Sequence, residues 1–229
     1  MERSNPLILG TFFWPEGVIL SDDYYKKFKI IFERERSMAQ GLASSLIRPK
    51  TLTVWEIMIP VIFILNYAKL KQSREIFVQN QMFTKKMALD AALDMQKKDA
   101  SRETVMAQIQ TKTKELVTSV PGGIYSDDIR RQQLKEIDLL VDHYTRLLNA
   151  EGKDYASLAT SAYRSATEYH SFLNRLKSAE NEVMGAARRT LGDQTDMETA
   201  AKIVSITASM RTAEVKKIFS SDFQPQDAE

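Results

Sequence analysis

Cysteine is missing from this 229-residue chain. Its absence excludes disulfides, thiol nucleophiles and thiolate metal sites, and is compatible with a reducing cytoplasm. Glycine and proline are scarce, at 8 and 6 residues. That is too few for an all-β fold, which needs a turn signal about every ten residues. Only two histidines are present, His143 and His170, and neither belongs to an HExxH pair. No Glu-x-x-His occurs, a motif that di-iron carboxylate bundles need twice. Both histidines are therefore expected to be structural or solvent-exposed. Glycine-rich phosphate loops are missing too. Pro121-Gly122-Gly123 lacks a preceding strand and a lysine, so it reads as a turn.

Charge of one sign is also lacking. The net charge is +2, which creates no global field to recruit nucleic acid. The doublets Arg130-Arg131 and Arg188-Arg189 are too isolated for a nucleic-acid face and read as solvated. The carboxylate pairs Asp22/Asp23, Asp127/Asp128 and Asp90/Asp94 are explained by helix caps and exposed helix faces. No cofactor, metal or small-molecule substrate is expected, and the chain reads as non-enzymatic. An enzyme would need a pocket that gathers several Asp, Glu, Lys or Tyr residues from different helices.

What is present is a folded composition, with 43% apolar and 27% charged residues, so wholesale disorder is not expected. Residues 1–20 are apolar but interrupted by Pro6, Gly10, Pro15 and Gly17. They read as an extended arm whose Phe12, Phe13 and Trp14 suit a membrane or partner contact. The start lacks the basic residues, continuous apolar run and cleavage site of a secretory signal, which leads to an expectation of synthesis in the cytoplasm. Ser21-Asp22-Asp23 then caps a helix expected to run to Ile47, before Pro49. Tyr24, Phe28, Ile31 and Phe32 recur at helical spacing, a face better suited to core packing than to lipid.

The organising stretch is Trp55 to Tyr67. Ile57 to Leu65 is an apolar run with Pro60 near its middle, and Thr53 with Glu56 matches a capping box at its start. As a helix, residues 52–68 reach about 25 Å at ~1.5 Å per residue, against a hydrocarbon core of about 30 Å. Nine central residues at about −0.5 kcal/mol each give roughly −4 kcal/mol of insertion free energy, much of which Glu56, Asn66 and Pro60 can cancel. Trp55 and Tyr67 bracket the run as interfacial anchors do. Arg48, Lys50, Lys69, Lys71 and Arg74 flank it on both sides. That pattern fits a shallow re-entrant hairpin with both ends cytoplasmic, or a helix buried in a bundle. The residues expected to touch membrane or partner are Trp55, Ile57, Ile59, Pro60, Ile62, Phe63, Leu65 and Tyr67.

Residues 69–120 contain neither proline nor glycine. They read as one very long helix, or two in series broken at Asp99-Ala100-Ser101. Fifty helical residues reach about 75 Å, and so sparse an apolar stripe suggests coiled-coil pairing. Met82, Met87, Met95 and Met106 look like gap fillers in that seam. After the turn at 121–123, Ser126-Asp127-Asp128 caps a second arm carrying Ile129, Ile137, Leu140, Tyr144 and Leu148, which predicts a helical hairpin. Asp154 caps a continuation rich in alanine and tyrosine that ends at Leu191-Gly192-Asp193. Thr195 to Glu198 opens a last helix, and residues 222–229 read as a frayed tail.

The expected fold is all-α: an extended arm (1–20), an amphipathic helix plus apolar segment (21–68), and a long-helix hairpin and bundle with coiled-coil character (69–221). The leading functional expectation is a membrane-associated helical scaffold or oligomerisation protein on the cytoplasmic side, whose residues from 69 onward stay helical and soluble alone. The alternative is a soluble multi-helix interaction protein, or assembly subunit, that buries residues 52–68 between chains. Self-association or a protein partner is expected in both.

Overall fold

The computed structural model describes residues 23–46, 74–119, 125–192 and 197–220. The fold is all-α, with eight helices and no strand among those residues. The first, α1 (Asp23–Leu46), buries Ile31, Phe32, Ala39, Leu42 and Ala43 along one face. This is the helical-period stripe expected from its sequence, now seen packed against protein. The expected caps at Ser21, Thr53 and Thr195 and the stop at Pro49 lie outside the described residues, as does the 120–124 turn.

Three helices come next: α2 (Arg74–Gln81), α3 (Phe83–Lys97) and α4 (Arg102–Ser119). The run from 69 to 120 is therefore not one rod. A one-residue irregularity at Met82, whose backbone stays right-handed helical, separates α2 from α3. The break falls at the expected Asp99-Ala100-Ser101, where Asp99 adopts φ +48°. Aspartate tolerates that left-handed conformation better than most residues. Ser101 caps α4, its Oγ accepting from Thr104 N at 3.2 Å. With the chain redirected at Asp99, the stripe folds onto the chain's own helices. Ala88, Leu89, Ala91, Ala92 and Leu93 are covered chiefly by α5 and α1 rather than by a second strand.

Helix α5 (Asp127–Asn149) is the central element, packing on α1, α3, α4 and α7. Its cap is as expected, with Ser126 Oγ accepting from Ile129 N. The hairpin with α4 is antiparallel. Arg102 reaches Asp138 and Asp142, while at the other end Arg130 donates to Thr113 Oγ1 at 3.2 Å and Gln110 O at 3.0 Å. The continuation divides into α6 (Tyr155–Ala162) and α7 (Ala166–Leu191), where one helix was expected. Asp154 and Ser157 form a reciprocal capping box on α6, and Ser165 caps α7 by accepting from Glu168 N. A serine followed by a good N3 acceptor lets the chain restart a helix in a new direction. Gly192 ends α7 at φ +56°, where a side chain would be strained.

Helix α8 (Met197–Ile218) closes the bundle against α1, α6 and α7. It runs antiparallel to α7, as the Arg211–Glu180 ion pair and the Phe219–Tyr169 ring contact show. The main core joins all eight helices, α4 through Val105 and Ile109, and Met82 is buried within it. Met87, Met95 and Met106 are half-buried against it, as gap fillers should be. A smaller cluster of Tyr125, Ile129, Val183, Ala186 and Ala187 seals the end where α5 begins and α7 finishes.

Candidate functional site

The contact residues nominated from sequence (Phe12, Phe13, Trp14 and the stretch from Trp55 to Tyr67) lie outside the described residues. Among the described residues, no helix is long and apolar enough to cross a membrane, and no cluster of His, Asp and Glu could hold a metal ion. The chemistry is concentrated elsewhere, in a polar layer through the middle of the bundle.

That layer begins on α1. Arg34 and Glu35 point inward, and Glu35 is only 3% exposed. Arg34 bonds Glu35 at 2.5 Å and Glu214 of α8 through two nitrogens, and its guanidinium lies 4.5 Å from the centre of the Tyr155 ring. Lys85 of α3 places Nζ 2.7 Å from Glu35 Oε2, close enough for an ion pair though off the line of a directed hydrogen bond. Burial pushes the Glu35 carboxyl up, but the charges of Arg34 and Lys85 overturn that and hold it well below the carboxylate range. On the far side Arg211 of α8 grips Glu180 of α7 with two parallel bonds of 2.6 and 2.7 Å. Such bidentate pairing survives burial because both charges keep directed partners.

Between these two groups α5 presents Glu136, 7% exposed. Thr84 of α3 donates to its Oε1 at 3.1 Å. No described cation lies within ion-pair distance of it, because Arg34, Lys85 and Arg211 are each engaged by another carboxylate. Burial, reinforced by the nearby Glu180 charge, raises its carboxyl to about 7, against the opposing pull of Lys85 and Arg211. Glu136 borders a cavity of about 260 Å³ between α1, α3, α5, α7 and α8. Leu140, Leu176, Val183 and Ile203 supply apolar wall, and the exposed Asn174, Lys177, Asn181 and Thr212 stand at its rim.

Further along α5 on the same face, His143 is also buried and borders the same cavity. Its Nδ1 lies 2.6 Å from Tyr163 Oη, and Phe172 stacks on its ring at 4.1 Å. Burial drives its pKa down to about 3, against the attraction of Glu35, so the imidazole is neutral at physiological pH. It packs as a core residue. His170, by contrast, is exposed and lies 3.2 Å from Asn174. Beside His143, the hydroxyl of Tyr144 is fully buried near Glu35, with no partner in hydrogen-bond geometry among the described residues.

The layer does gather titratable side chains from five helices, but they are arranged to hold charge. Arg34, Lys85 and Arg211 are each engaged by a carboxylate. Glu35 and Glu136 were not among the residues nominated from sequence. The signal was present: Glu35 lies four residues from both Ile31 and Ala39, and Glu136 four before Leu140, so both acids interrupt buried stripes.

The remaining polar features match simpler roles. Asp127 and Asp128 lie in the first turn of α5. Asp90 and Asp94 pair with Lys86 and Lys98 one turn along α3. Arg131 and Arg189 both hold Asp128, tying the start of α5 to the end of α7. No protein-family model, curated protein or solved structure matches this chain.

Proposed function

We propose that this chain is a non-enzymatic helical scaffold, held against the cytoplasmic face of a membrane by residues 52–68 and presenting its bundle to a protein partner or a second copy. One observation carries the reading. Helices α1 and α2, which precede and follow residues 47–73, pack on each other, with Arg36 Nη2 3.6 Å from Glu75 Oε1. A bundle stands on one side of a bilayer, and a single crossing would take the chain about 30 Å to the other side. Ends that belong to one bundle favour a dip that turns at Pro60 and returns. The basic residues on both flanks and the interfacial Trp55 and Tyr67 agree with that geometry.

The test is fractionation of cells expressing the full chain beside a variant in which residues 47–73 are replaced by a Gly/Ser linker of about 15 residues. The full chain should stay with membranes through high salt and alkaline carbonate and leave only with detergent. The variant should be soluble, with unchanged helical circular dichroism. Recovery of the full chain in buffer without detergent would overturn the anchor and place the apolar run in a protein interface.

A further inference from the structure

Among the buried charges beside the cavity, Arg34, Lys85 and Arg211 are matched by Glu35, Glu214 and Glu180, which leaves Glu136 without an ion pair; Lys177, a further cation of the lining, stands exposed at the rim. The Glu136 Oε1 is occupied by Thr84, while its Oε2 has no hydrogen bond to a described residue. The volume of about 260 Å³ exceeds the ~150 Å³ that accepts a benzene ring. We infer that this cavity binds a small organic cation, an ammonium group on a short apolar chain, with its charge against Glu136 and its hydrocarbon on Leu140, Leu176 and Ile203.

Rival occupants fit less well. An anion could meet Lys177 at the exposed rim, but at the buried wall it would have to strip Glu35 or Glu180 from cations they already hold in close ion pairs and would face the Glu136 carboxyl. A divalent metal needs several converging oxygen ligands, and no such group exists among the described residues. A bare monovalent ion would lose its water to walls that are largely hydrocarbon. An alkylammonium satisfies both the lone acid and the apolar wall.

Binding exchanges charge for charge. Without the cation, burial and the Glu180 charge keep Glu136 protonated up to about pH 7. When the ammonium arrives, the Glu136 carboxyl releases its proton to solvent and the carboxylate pairs with the incoming charge, so one cation enters as one proton leaves. The groups that set this balance are Lys85 on α3, Arg34 and Glu35 on α1, Glu180 and the rim cation Lys177 on α7, Arg211 on α8 and the neutral His143 on α5. Access runs between α7 and α8, where Asn174, Lys177, Asn181 and Thr212 form the rim. Such binding does not depend on membrane attachment.

The experiment is calorimetric titration of the full chain with n-butylammonium chloride from about pH 5.5 to about pH 8.5. Linkage predicts that affinity rises about tenfold per pH unit below about 7 and then levels off. Butan-1-ol, the neutral isostere, should bind at least tenfold more weakly above neutral pH, a comparison that needs no variant. Glu136→Gln should lose the pH dependence and most of the affinity. No saturable binding, equal binding of butan-1-ol, or an unchanged pH profile in Glu136→Gln would each overturn the inference. Equal competition by potassium chloride would overturn the organic character of the ligand.

Discussion

Glu136 couples proton binding to the stability of the fold. Its carboxyl is raised from about 4.5 to about 7 in the folded chain, so the folded state binds a proton that the unfolded state has released between those values. The stabilisation is complete below about pH 4.5 and is lost as pH rises through about 7; its size is about 3 kcal/mol. Glu136→Gln keeps the Thr84 contact and removes the titration. Urea melts should show Glu136→Gln gaining on the parent chain across that window, with a constant advantage of about 3 kcal/mol above neutrality. A parallel pair of stability curves would mean that Glu136 is solvated. His143 acts in the opposite sense. Its lowered pKa makes neutral burial favourable above about pH 6.5 and a growing penalty as pH falls toward about 3. Acid unfolding should therefore persist in Glu136→Gln.

Elements are placed by their punctuation. The link from α5 to α6 passes through Gly152, where an added Cβ would stand 2.7 Å from Leu158 N and 2.9 Å from Ser157 C. Those are backbone atoms held by the Asp154–Ser157 capping box, so they cannot yield cheaply. Gly152→Ala should cost about 2 kcal/mol and lower the melting temperature by several degrees. Gly185, inside α7, meets only the end of the Arg189 side chain at 3.4 Å. There alanine should raise stability by about 0.5–1 kcal/mol through helix propensity alone. Comparing the two in thermal denaturation separates close approach from intrinsic propensity. Equal effects would show that the α5–α6 turn relaxes freely.

At the scale of the whole molecule, α1 belongs to the same core as the later helices. Helix α1 contributes Ile31, Phe32 and Ala39 to the main core, and Arg34 and Glu35 to the polar layer. A fragment beginning at residue 69 keeps Lys85 and Glu214 but loses the groups that neutralise them, and breaking a buried pair costs about 3–5 kcal/mol. That fragment should retain helical circular dichroism but lose a sharp thermal transition and bind a hydrophobic dye. A sharp transition would show that the bundle from 69 onward is complete without α1.

Much of this architecture is local, and local features are legible in a sequence. The Ser126 and Asp154 caps, the stop at Gly192, the break at Asp99 and the periodic stripes of α1 and α5 each depend on residues within a few positions of one another. The all-α class follows from them together with the scarcity of glycine and proline. The irregularity at Met82 was not legible, because apolar continuity says nothing about which neighbour covers it; the division of α6 from α7 does carry a local signal, Ser165 with Glu168 three residues on, which the continuous run of small and aromatic residues masks. The polar layer shows in the sequence only where Glu35 and Glu136 interrupt apolar stripes, and its pairings do not show at all. Glu35, Lys85, Glu136, Glu180, Arg211 and Glu214 come from five helices and carry charge that, in a linear chain, looks like solvated surface. By itself the sequence determined which segments coil and where most of them end, since capping and helical periodicity act over one or two turns. Only the tertiary structure decided which charges lose their water and which find a partner, since desolvation and ion pairing depend on distances between residues as far apart as Arg34 and Glu214.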